Sequence, residues 1–105
     1  MQPIYKICRT EQFEDDVRGI FGDLQTFERL FEGFAFLLSR LPRGLGTWDL
    51  SPTGDLRLAT LDHSLLDDGT STPAMVFSFA LELGPTPCLT LLRGFTREQL
   101  AQAMG

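Results

Sequence analysis

From residue 3 to residue 9 the chain alternates. Tyr5 and Ile7 fall on one side, and Ile4, Lys6 and Cys8 on the other, which predicts a strand. The period then changes. Phe13, Val17, Ile20, Phe21 and Leu24 recur at three- and four-residue spacing, so an amphipathic helix follows, with Thr10 as its N-cap and acids in its first turn. Glu14 and Arg18 are spaced for an i,i+4 ion pair on its outer side. Gly22-Asp23 marks a break. A second stripe of Phe27, Leu30, Phe31, Phe34, Leu37, Leu38 and Leu41 predicts a second helix, ended by Pro42 and Gly44.

Beyond residue 46 the pattern turns to period two. Thr47–Ser51 and Leu56–Leu61 flank Pro52-Thr53-Gly54-Asp55, a turn composition, and so form a hairpin in which Arg57 points away from Leu56 and Leu58. Residues 64–73 read as a loop. In 74–83, Met75, Phe77, Phe79, Leu81 and Leu83 share a face opposite the smaller Val76, Ser78 and Ala80. Gly84-Pro85-Thr86-Pro87 reverses the chain into a last strand, 88–95. Its pattern leaves open whether Leu89 and Leu91 or the alternate residues are buried. Thr96-Arg97-Glu98-Gln99 fits a capping box opening a short helix. The order is β-αα-ββ-ββ-α. It predicts one α+β domain over residues 1–105, with an antiparallel sheet of four to five strands and a helix hairpin on one face.

Composition narrows the function classes. Nine bases against fourteen acids give a net charge of −5, which argues against a general nucleic-acid binder. Glu11, Glu14, Asp15, Asp16, Asp23, Glu28 and Glu32 outnumber Arg18 and Arg29, so residues 11–32 alone account for that charge. The remainder is neutral overall and leaves room for a local basic patch. No apolar run is long enough to span a bilayer, and the opening residues lack a signal-peptide layout, so no membrane partner and a cytoplasmic location are expected. Cys8 and Cys88, with the single His63, do not make a zinc ligand set. Buried free thiols are expected, and no metal or cofactor. Asp62-His63-Ser64 contains triad residue types, but neighbours on an extended chain face opposite ways and cannot relay a proton.

The layout resembles the RelE/ParE superfamily, the toxin components of bacterial toxin–antitoxin pairs. IYKICRTEQFEDDV is similar to the family's opening strand and acidic helix. LLSRLPRGLGTWDLSPTGDLRL is similar to its second helix, break and Arg-Leu strand, and PAMVFSFALELGPTPCLTLLRGF to its final hairpin. The resemblance implies a toxin-like function with an antitoxin as partner, by ribosome-dependent mRNA cleavage or by binding a protein target. It implies catalytic roles for Arg57 and Arg93, which would stabilise the charge that grows on phosphate when a 2′-hydroxyl attacks it. Lys6, Arg40 and Arg43 would bind RNA or another anion. The departures concern the nuclease chemistry. AMVFSFAL carries no base, TREQLAQAMG holds neither Tyr nor His, and the chain is acidic. The ParE branch, which is thought to bind gyrase, needs none of these groups.

Read without the resemblance, the residues fit a non-catalytic interaction module. Phe36 lies off the apolar stripe beside Arg29, Glu32 and Arg40, which marks it as a contact for a partner or for a second copy in a homodimer. Lys6 and Arg57 are expected on the open sheet face, where they would form an anion site or stand solvated.

Overall fold

The computed structural model describes residues 4–44, 47–53, 55–61, 71 and 74–104. The chain runs β1 (Lys6–Arg9), α1 (Glu11–Phe21), α2 (Leu24–Arg40), β2 (Trp48–Asp49), β3 (Leu56–Leu61), β4 (Met75–Glu82), β5 (Cys88–Thr96) and α3 (Arg97–Met104). The strands form one sheet in the order β1-β5-β4-β3-β2. This is the expected α+β architecture, with one correction. The sheet is mixed, because β1 runs parallel to β5 while the other pairs are antiparallel. The cause is connectivity. A hairpin turn forces antiparallel neighbours, but β1 leaves through two helices and is free to dock beside the last strand.

Local chemistry fixes the helix ends. The Thr10 hydroxyl accepts from the Phe13 N–H and donates to the Leu92 carbonyl, so the cap also ties α1 to β5. Gly22, at φ 88°, closes α1, and Asp23 opens α2 by accepting from the Thr26 N–H. A positive φ costs glycine least, which is why the break falls there. Thr96 and Gln99 form the reciprocal capping box of α3. The expected Glu14–Arg18 pair is replaced. Arg18 meets Asp15 at 3.2 Å, and Glu14 meets Arg9 of β1 at 3.4 Å.

Both helices cover the face that carries Met75, Phe77, Phe79 and Leu81. Leu89 and Leu91 lie on that same face, which decides the buried side of β5. Leu83 falls beyond the covered strand and is exposed. Phe77 is the meeting point. Its ring makes edge contacts with Phe13 of α1 at 6.5 Å and with Phe31 and Phe34 of α2 at 5.7 and 5.9 Å. Phe27 joins the two helices through Phe13 and Phe31. Each such aromatic pair adds about 0.5–1.5 kcal/mol beyond area burial. The α2 stripe resolves into two lines. Phe27, Phe31, Phe34 and Leu38 face the sheet, while Leu37 and Leu41, on the flanking line, are exposed. The stripe is wider than the surface it covers. Gly94 lets α1 approach β5 closely, since a Cβ there would stand 2.5 Å from Met75 Cε and 3.5 Å from Phe13.

Phe77→Ala should lower unfolding free energy by about 3–5 kcal/mol in urea titrations. Phe36→Ala, on the solvent side of α2, should change it by less than about 0.5 kcal/mol. Similar losses from the two variants would contradict the assigned core.

Candidate functional site

The strand arginines are consumed internally. Arg57 sits opposite Phe79 in the β3–β4 register, on the helix-covered face, and is 6% exposed. The expectation of an open-face Arg57 beside Lys6 is therefore overturned. The reversal follows from the alternation: Ala59, two residues on, is the fully buried position of β3, whereas Leu56 and Leu58 face the other way. A charge at that position has to be matched. Arg57 forms an ion pair with Asp49 and donates from Nε and Nη2 to the Thr47 hydroxyl, which itself donates to the Pro42 carbonyl. The buried guanidinium thus staples the end of α2 to the β2–β3 hairpin.

Arg93 leaves β5 beside the bulge at Ser78/Phe79 and meets Asp16 of α1 at 2.8 Å, with its guanidinium 5.2 Å from the Phe95 ring. Asp16 also accepts from the Gly94 N–H at 2.9 Å. Burial works to raise the Asp16 pKa. The Arg93 hydrogen bond, the Gly94 N–H, the Gln12 amide and the Arg93 charge outweigh it and hold the carboxyl below its ordinary value. The same contact raises Arg93, through the hydrogen bond first and the charge second. Arg57 and Arg93 stand on opposite sides of β4, each turned to its own carboxylate.

The other candidate bases scatter. Arg43 meets Asp55 at 3.1 Å near the Pro42–Thr47 junction, which brings it into the neighbourhood of Arg57. Arg40 donates to the Ser39 hydroxyl and the Phe36 carbonyl, and its guanidinium lies 3.8 Å from the Phe36 ring centroid. Phe36 itself remains 58% exposed under that partial cover. Lys6 is exposed on β1, on one row with Cys88 and Glu82. Cys8 and Cys88 are free thiols, half-buried on the face away from α1 and α2, not core thiols. Asp62, His63 and the segment 64–70 lie outside the described residues, as do residues 72–73.

A concave surface lies elsewhere. A groove of about 760 Å³ runs between α2 and β1. Ile7, Phe27, Phe31 and Leu91 make its apolar floor. Gln25, Glu28, Arg29 and Glu32 wall one side, and Ala35 leaves room at one point of the wall. Arg9 bridges the two elements, meeting Glu28 at 2.8 Å and Glu14 at 3.4 Å. Sequence reasoning missed Arg9. The signal was its parity with Tyr5 and Ile7, which turns it toward the acid-rich helices. β1 is also an edge strand: the Lys6 and Thr10 N–H groups donate to the Pro87 and Leu91 carbonyls, at the start of β5 and within it, so by alternation Ile7 and Arg9 aim theirs outward. Among the described residues no group of three or more His, Cys, Asp or Glu is placed to hold a metal ion, and no helix is long and apolar enough to cross a membrane.

The Asp16 environment makes stability pH-dependent. A carboxyl whose folded pKa is depressed contributes fully above its unfolded value, near ~4, and loses that contribution as pH falls through the folded pKa. Asp16→Asn should therefore unfold at lower urea than wild type at pH 7, by about 1–2 kcal/mol for the weakened charged hydrogen bond to Gly94. The gap should close in acid, below the usual carboxylate range. A gap that is constant with pH would remove Asp16 ionisation from the account.

No protein-family model matches the chain, and neither the curated proteins nor the solved structures contain a match to it, so its function rests on the chemistry of these surfaces.

Proposed function

We propose that the chain is a non-catalytic protein-binding module whose α2–β1 groove takes a basic, amphipathic segment of a partner protein. The observation that carries this reading is the groove itself, an apolar floor of Ile7, Phe27, Phe31 and Leu91 beside an acidic helix pair, of which residues 11–32 carry a net charge equal to that of the whole chain. An apolar floor gives affinity through area removed from water, at about 25 cal/mol per Å². The acidic helices give sign selectivity and speed the encounter. Phe36 stands on the same helix four residues beyond Glu32 and extends the contact surface past the end of the groove.

The toxin-like reading enters as a special case. Under it the bound segment belongs to an antitoxin or to a protein target. The mRNA-cleaving form is the weaker version. A pentavalent phosphorane would have to displace Asp49 from Arg57 and Asp16 from Arg93, and each carboxylate is part of a contact that joins two elements of the fold.

Two synthetic peptides with one apolar pattern, one carrying lysines and the other glutamates on its polar face, test the proposal by fluorescence anisotropy. The basic peptide should bind, and more weakly as salt rises. The acidic one should not. Ala35→Trp puts a large ring in the groove at a position only half-buried at the core's margin and should weaken binding at least tenfold while leaving the circular dichroism spectrum unchanged. Equal binding of both peptides, or indifference to Ala35→Trp, would refute the reading. Expression in a bacterium separates its forms. Growth arrest relieved by Ala35→Trp supports action through protein binding. Arrest relieved by Arg57→Ala and Arg93→Ala, with both variants folded and Ala35→Trp still toxic, restores the nuclease.

A further inference from the structure

The face of the sheet away from α1 and α2 has the chemistry of an interior. The register places Cys8, Thr90, Ala80 and Leu56 on one row across four strands, and Ser78, Leu58 and Trp48 on another. The second row ends on β5 at Arg93, which turns to Asp16 of α1, and the other positions of both rows are uncharged. Lys6 and Glu82 sit together on the row at one end. A sheet face that meets water ordinarily alternates to charged and polar side chains. Here leucine, alanine and cysteine take those places, and Trp48 at the edge is 43% exposed.

We propose that this face is the interface between two copies of the chain. Charge selects the occupant. Residues 11–32 carry a net charge equal to that of the whole chain and lie in the helix layer, on the opposite side of the sheet. Two copies that meet sheet to sheet keep their acidic layers on the far sides, separated by both sheets, so self-repulsion is least in this arrangement. A charged partner gains nothing from the uncharged centre of this face, and a basic one is drawn to the helices instead. A second copy offers the same apolar rows, which is the self-complementarity that a two-fold interface needs. The size is adequate. Five strands spaced ~4.8 Å, about six residues long at ~3.4 Å each, cover at most roughly 500 Å² in projection. The end at Val76, 3% exposed, is already covered within the chain, and the corrugated accessible surface of the remainder falls at the small end of specific interfaces. Ala80 and Ser78 are small and central, so two sheets can approach to the usual separation of about 10 Å.

The two thiols on this face report on its cover. Sedimentation velocity across a wide concentration range should show a reversible monomer–dimer equilibrium. Maleimide labelling of Cys8 and Cys88 should slow as protein concentration rises. Ala80→Arg and Thr90→Lys each put a charge at the centre of the face and should give monomers, with labelling independent of concentration and circular dichroism unchanged. Phe36→Glu and Ala35→Trp should leave the dimer intact, which separates this interface from the groove. A wild-type chain that stays monomeric at every concentration overturns the proposal. So does a dimer that survives both charged substitutions, or one that dissociates with Phe36→Glu.

Discussion

The structure depends on one packing constraint, the seat of the Phe77 ring where both helices reach the sheet. Phe13 approaches it from α1, and Phe31 and Phe34 approach from α2. A ring touched edge-on by three others fixes helix positions better than aliphatic contacts do, because the aromatic quadrupole prefers those tilted geometries. Interiors are packed to crystal density, so the seat leaves little slack. Two neighbours maintain it. Gly94 allows α1 to lie close on β5, and Phe27 locks α2 to α1. The groove between α2 and β1 then follows as geometry. α2 is held over β4 by Phe77, and β1 lies two strands away at the sheet edge.

Electrostatics completes what the rings begin. Arg9 ties β1 to α1 and α2, Arg57 ties the β2–β3 hairpin to the end of α2, and Arg93 ties β5 to α1. Each guanidinium joins elements distant in sequence. Burial makes the Arg57 arrangement the most consequential of the three, because losing Asp49 or Thr47 leaves a buried guanidinium less compensated, although Asp49 itself is exposed. The Arg9 and Arg93 pairs are more exposed and contribute less per contact. This use of the strand bases explains why the described residues of a chain with eight arginines and one lysine present no broad basic face, although the chain outside residues 11–32 is neutral overall.

Much of the fold was legible from periodicity. The helix break at Gly22, the caps at Thr10 and Thr96, the two hairpins and the Met75-Phe77-Phe79-Leu81 face all follow from side-chain spacing and turn chemistry. What spacing did not reveal was set by partners remote in sequence. The parallel β1–β5 pairing depends on where a strand docks after a two-helix excursion, and no local pattern records that. Arg57 was misplaced because Leu56 and Leu58 outweigh Ala59 in hydrophobicity. The small Ala59 fits beneath the helices, and Thr47 and Asp49 lie ready to satisfy the guanidinium. Of the candidate site, Phe36 and the acidic helices were visible in the sequence, whereas the groove was not. Its floor combines Ile7, Phe27, Phe31 and Leu91 from three elements, and only tertiary structure brings them together.

The molecule therefore presents two surfaces of different character on opposite sides of one sheet. The helix layer carries the net charge and a groove beside an open strand edge. The opposite sheet face keeps Lys6, Glu82 and Arg93 at its margins and is uncharged at its centre. These are the properties that divide selective from non-selective contact. Charge around an apolar groove discriminates between partners and sets encounter rates, while a small-residue face with an uncharged centre discriminates only by shape and suits a surface identical to itself. A resemblance of layout says nothing about that division, since function resides in the surfaces that a fold presents and not in the order of its elements. In this chain the arginines that would make the layout catalytic are spent on holding it together, and the surfaces that remain available are both suited to binding protein.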